Sequence, residues 1–152
     1  MKAILTFCLF LICVKVQAQT TEPKPPNVNI RLSLLVFPPI SPLLTFEVRT
    51  IGKITLQLET NFVNTHGVNL KYFTKESMNG HYLFVGMAFL EGDFLRKDKN
   101  TTLLPYTGYG YAYRFGNNSA WTFDSRLGIG STLNADKNLI LPVLKTGIGR
   151  TF

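Results

Sequence analysis

Reactive side chains are sparse in this sequence of 152 residues, and their setting limits what they can do. The carboxylates Glu47, Glu59 and Asp124 lie in stretches where polar and apolar residues alternate. Two carboxylates held together could divide general acid and base work between them. Nothing local sets Glu59 and Asp124 near each other rather than beside arginines, so ion pairing is the simpler reading. His66 lies in "NTHG" and His81 opens "HYLFVGMAF". If "NTHG" is the third connection, at the outer rim, and His81 begins the fifth strand, the two imidazoles fall at opposite ends and cannot share a metal. Cys8 and Cys13 sit together in one apolar run near the start, which leaves no thiolate site beyond it. "GYGYAYRFG" has the glycines of a phosphate loop, but its period of two makes it a strand. No cofactor or metal site is expected.

Period two is the rule from residue 28 onward. Eight segments alternate, at about Val28–Phe37, Leu43–Ile51, Lys53–Val63, Val68–Lys75, His81–Glu91, Leu104–Phe115, Ala120–Leu133 and Leu141–Phe152. Each is close to the ~9–11 residues of a tilted membrane strand. In the first, Val28, Ile30, Leu32 and Leu34 oppose Asn29, Arg31 and Ser33. The second sets Leu44, Phe46 and Val48 against Thr45, Glu47 and Arg49. The third sets Ile54, Leu56, Leu58 and Phe62 against Thr55, Gln57, Glu59 and Asn61, and the seventh Trp121, Phe123, Leu127 and Ile129 against Thr122, Asp124 and Arg126.

The connections alternate in length as well. "GK" at Gly52-Lys53, "SMNG" at Ser77–Gly80 and "GNNS" at Gly116–Ser119 are tight, whereas "GDFLRKDKNTTL" and "NADKNLI" are long and polar. That rhythm predicts an all-β fold, a closed antiparallel eight-stranded up-and-down transmembrane β-barrel. Short turns and both termini belong on one side and the longer loops on the other.

A soluble lipocalin-like lipid carrier would show the same alternation turned inside out. Three features favour the membrane version. Gly108, Gly110, Ala112, Gly128, Gly130, Gly147 and Gly149 share the polar face, where they would make room for long charged side chains. The opposite face of the sixth segment is a ladder of Tyr109, Tyr111, Tyr113 and Phe115. Tyr113, Phe115, Trp121 and Phe152 all fall at the turn end, where an interfacial aromatic girdle belongs. The lumen then carries Arg31, Glu47, Arg49, Glu59, Lys71, Arg114, Asp124, Arg126 and Lys145. Eight strands leave an interior that side chains fill, so these charges are expected to form a paired network in a closed lumen.

The first 27 residues read as lying outside the barrel. Lys2, an apolar run from Ala3 to Val14 and Val16-Gln17-Ala18 read as a signal peptide of residues 1–18, removed on secretion. Residues 19–27, with three prolines, read as a tether, and 28–152 as the barrel domain. Cleavage removes Lys2 and Lys15, so the formal charge of +7 becomes +5. An exported chain rarely meets nucleic acid, and its dispersed basic charge suits anionic lipid better. Arg96, Lys97 and Lys99, in the longest loop, are candidates for contact with lipopolysaccharide phosphates.

In organisation the chain resembles the small eight-stranded outer-membrane barrels of Gram-negative bacteria, the OmpX group and the transmembrane domain of OmpA. Its "AQ" after the signal and its basic residue near a terminal Phe look like proteins of the Bacteroidota. The resemblance implies an outer-membrane location, a monomer, and a C-terminal signal read by the barrel assembly machinery. Lys145, Gly147 and Phe152 match that signal, while Arg150 stands where its penultimate aromatic is expected. The function implied is structural or accessory. Lipid A-modifying enzymes use a His with a Ser on a similar barrel; His66 has Thr65 beside it, but no serine motif of those enzymes is recognisable.

Overall fold

The computed structural model describes residues 28–35, 41–75, 78–91, 101–116, 120–133 and 139–152. The proposed signal peptide and tether, and Arg96, Lys97 and Lys99, lie outside the described residues. Eight strands form a closed antiparallel barrel in sequence order: β1 Val28–Leu35, β2 Ser41–Ile51, β3 Ile54–Thr60, β4 Thr65–Phe73, β5 Gly80–Leu90, β6 Thr102–Phe115, β7 Trp121–Ser131 and β8 Ile140–Thr151. Closure is made by β1 against β8, from Asn29↔Thr151 to Leu35↔Lys145. Val28 and Phe152 then exchange backbone hydrogen bonds of 3.3 and 2.8 Å, so the last residue is tied to the first strand. An open sheet edge is thereby removed.

Alternation puts the polar side of β1–β4 and β7–β8 inward and the apolar side outward. Arg31, Glu47, Lys71 and Arg126 are at most 1% exposed, whereas Leu32, Leu127 and Ile129 are more than 60% exposed. Tyr109, Tyr111, Tyr113, Trp121 and Phe152 also face outward, and Tyr113 stacks on Phe115 with ring centroids 6.2 Å apart. Phe115 pairs with Trp121, which neighbours Arg150, so Tyr113, Phe115, Trp121 and Phe152 gather on β6–β8 at the end where β1 begins and β8 finishes.

Most boundaries lie within two residues of the sequence reading, and two around the third connection depart by three. The third strand stops at Thr60 rather than Val63, because Asn61 captures the chain. Its Oδ1 accepts from the backbone nitrogens of Val63, Asn64 and Thr65 at 3.0, 2.9 and 2.9 Å. A side chain that satisfies three successive donors offers the backbone an alternative to the ladder. Phe62 consequently takes the left-handed region, with φ of 62°. The fourth strand starts at Thr65, since the turn is Asn61–Asn64 and not "NTHG" as a whole; Thr60↔His66 and Glu59↔Gly67 are already paired. Gly52, with φ of 52°, opens the two-residue hairpin between Ile51 and Ile54, a position that favours glycine.

Candidate functional site

The lumen holds the residues with chemical potential, and the register decides which of them meet. Arg31 projects from β1, Glu47 from β2, Lys71 from β4 and Asp124 from β7. Arg31 donates to Glu47 Oε2 at 2.6 Å and lies 3.0 Å from Asp124 Oδ2. Lys71 Nζ bridges the same two carboxylates, 3.3 Å from Glu47 and 3.1 Å from Asp124. Tyr82 OH donates to Asp124 at 2.8 Å, and Thr55 Oγ1 donates to Glu47 at 2.7 Å. Two cations and two anions thus close a four-membered ring across the barrel.

A second cluster lies one layer towards the loops. Arg126 of β7 and Lys145 of β8 both bind Glu59 of β3. Gln57 joins the layers: its Oε1 accepts from Arg31 at 3.3 Å and from Arg126 at 3.5 Å, and its amide donates to Glu59. Every carboxylate in this core faces two cations, the condition under which buried charge is tolerated. Arg49 and Arg114 also face the lumen, but nearer the termini and only half-buried.

The opposite wall is aromatic. Phe73, Tyr82, Phe84 and Tyr106 are buried with Ala88, Leu104, Ala112 and Val143. Lys71 Nζ lies 4.4 Å from the Tyr82 ring centroid and the Arg126 guanidinium 5.1 Å from that of Phe84, so the rings also serve the cations. The lumen glycines were expected to make room for charged side chains, and only part of that holds. Gly149 does so for Arg31. Gly108 and Gly128 face Phe84, and Gly110 faces Tyr82; a Cβ on Gly110 would clash with Tyr82 Cζ. The tight glycine wall admits rings, not ions.

Tyr82, Gln57 and Thr55 complete the network, and sequence reading left them out of it. "HYLFVGMAF" is apolar on both faces, so its phase cannot be read from alternation. The signal available was the glycine run on the adjoining strands, which requires bulk opposite it. Between the apolar layer at the loop end and the Glu59–Lys145 pair lies a cavity of about 30 Å3, lined in part by Leu43, Thr65, Tyr106 and Val143. That is space for a water or two.

The histidines lie apart. His66 accepts from or donates to Thr60 Oγ1 at 2.9 Å, at the loop end, whereas Thr65 turns inward to the other face of β4. His81 is at the terminal end, outward, bonded to Tyr109 OH and packed on the Tyr109 and Tyr111 rings. Lys145 joins the Glu59 cluster and Gly147 packs on Ser33. Phe152 is 63% exposed with the Arg150 guanidinium 5.5 Å from its ring centroid.

No protein-family model matches the chain, and no curated protein does. In solved structures the chain is similar to the N-terminal β-barrel domain of Pseudomonas aeruginosa OprF. The superposition has a TM-score of 0.62 at 15% sequence identity and covers 84% of this chain and 98% of that one. At that identity the likeness concerns the fold: a closed eight-stranded antiparallel barrel.

Proposed function

We propose that the chain is an outer-membrane barrel of structural or accessory role, exported with a cleaved signal peptide and monomeric. One observation carries the reading: the barrel is inverted, with its ion pairs sealed inside and its aliphatic side chains outside. A water-soluble barrel would lose hydrophobic burial on every outward Leu and Ile, and a bilayer removes that cost. The lipocalin-like carrier has less support, because its ligand cavity would have to be apolar and this lumen is filled by charges and rings. The likeness to the OprF barrel domain adds weight in the same direction.

In this reading the terminal end faces the periplasm, with Tyr113, Phe115, Trp121 and Phe152 at the interface and Arg150 reaching for headgroups. The opposite loops meet lipopolysaccharide, Arg96, Lys97 and Lys99 among its phosphate contacts. Lys145, Gly147 and Phe152 serve the assembly machinery. The filled lumen is a strut rather than a pore.

Cysteines introduced at Leu56, Leu58, Leu127 and Ile129 test the inversion in whole membranes. They should react with lipid-soluble and not with water-soluble maleimides, while cysteines at Gln57 and Asp124 should resist the lipid-soluble reagent. The opposite pattern would sink the membrane reading.

A further inference from the structure

The ladder between β6 and β7 runs from Phe115↔Trp121 to Tyr106↔Gly130 and then lapses. It resumes in the same register at Leu103↔Leu133, where Leu133 N donates to Leu103 O at 2.7 Å and Leu103 N to Leu133 O at 3.3 Å. Doubly bonded pairs recur at every second residue of an antiparallel ladder. Two residues on from Leu103, Pro105 faces Ser131 at such a position, and its nitrogen has no hydrogen to give. Among the described residues the β8 side offers Ser131 nothing, because Thr132 makes the bond there, to Leu139 O at 3.0 Å. The Ser131 carbonyl therefore points at a nitrogen that cannot donate.

Over this lapse the outward wall has an open crevice of about 380 Å3, lined in part by Val85, Pro105, Thr107, Ile129, Ser131 and Ile140. Its apolar residues are open: Val85 is 56%, Ile129 63% and Ile140 79% exposed. Thr107 adds no free donor, since its hydroxyl is engaged by Phe84 O at 2.8 Å. Ser131 is the last residue of β7, at the loop end of the wall.

We propose that this crevice seats one acyl chain of an outer-leaflet lipopolysaccharide, whose hydroxyl or amide N–H near the head donates to the Ser131 carbonyl. The proposal rests on the outer-membrane reading above. A carbonyl in hydrocarbon needs a donor that water cannot supply there. A glycerophospholipid tail fills the crevice but is ester-linked and has no donor. The outward hydroxyls of a second copy in the same membrane belong mostly to Tyr109, Tyr111 and Tyr113, nearer the other end of the wall, and a second copy is therefore an outcome the test must separate. An amide-linked, hydroxylated acyl chain brings both, at the depth where Ser131 lies.

The test uses full-length mature protein in nanodiscs of lipopolysaccharide and phosphatidylethanolamine, with native mass spectrometry counting lipids retained on release. Pro105→Ala supplies the absent N–H, and Ile129→Trp fills the crevice from the outward face. The wild type should retain one lipopolysaccharide, each variant about tenfold less, the weight of one hydrogen bond or one seated chain. Leu56→Trp, on another part of the wall, should retain as much as the wild type. Equal retention by all four proteins overturns the proposal, as does phosphatidylethanolamine or a second copy in place of lipopolysaccharide. A protein that enters nanodiscs and keeps no lipopolysaccharide removes this proposal alone. One that does not enter removes the membrane reading and the proposal with it.

Discussion

The two walls of the lumen solve the same problem by opposite means. On the side of β1, β2, β3 and β8 the interior is filled by Arg31, Glu47, Gln57, Glu59 and Lys145, each held by partners of opposite charge or by hydrogen bonds of the Gln57 side-chain amide. On the side of β5 and β6 it is filled by Tyr82, Phe84 and Tyr106, received by glycines on β6 and β7. An ion needs a counter-ion of the right sign within about 4 Å, whereas a ring needs only an empty volume of the right shape. The ionic wall should therefore be intolerant of chemistry and the aromatic wall of volume.

Glu59→Gln would break that comparison most severely. It keeps the shape and leaves Arg126 and Lys145 buried without a counter-charge, so it should cost about 3–5 kcal/mol, as for a broken buried pair. Heat-modifiable gel mobility and urea unfolding from lipid vesicles would report it. An unchanged midpoint would mean that the lumen is wet enough to screen both cations. Tyr82→Phe comes next, because Tyr82 is the seam between the walls: its ring is packed by Gly110 and its hydroxyl bonds Asp124 at 2.8 Å. Losing a hydrogen bond to a charged group should cost about 1.5–3 kcal/mol by the same urea measurement. Phe84→Leu keeps the wall apolar but gives up ring volume against Gly108 and Gly128, and should cost about 1–2 kcal/mol. If Phe84→Leu proved as damaging as Glu59→Gln, the stacked Arg126 rather than volume would set the demand on that wall.

The same contrast explains what the sequence shows and what it hides. The ionic wall is legible because Thr45, Glu47 and Arg49, or Thr55, Gln57 and Glu59, alternate with aliphatic residues, and period two assigns a face to each. Alternation gives the face but not the azimuth. That Glu59 meets Arg126, 67 residues away, and Lys71 meets Asp124, 53 away, depends on the pairing of eight strands at once. The aromatic wall is hidden because His81–Leu90 is apolar on both faces. Asn61 was missed because its effect is a local competition between side chain and ladder, which composition does not reveal. The lapse at Pro105 needs the parity of the β6–β7 bonds, a property of the folded register alone.

Phe152 gives the smallest expected effect on the folded barrel and the sharpest separation of folding from assembly. Its backbone closes the ladder on Val28, but Phe152→Ala leaves those two hydrogen bonds in place. The ring is mostly exposed, and among the described residues its one directed contact is with the Arg150 guanidinium, worth about 0.5–1 kcal/mol at an exposed site. Unfolding of a barrel already in vesicles should therefore shift by no more than about that amount. In cells the outcome should differ: if the terminal ring is read during assembly, the amount of folded Phe152→Ala in the outer membrane should fall several-fold while its unfolding midpoint barely moves. Arg150→Tyr, which restores an aromatic at the departing position, should raise the folded amount in the same assay. A Phe152→Ala protein that accumulates normally would show that the ring closes the structure and signals nothing. A midpoint lowered as far as that of Tyr82→Phe would place the ring among the supports of the fold.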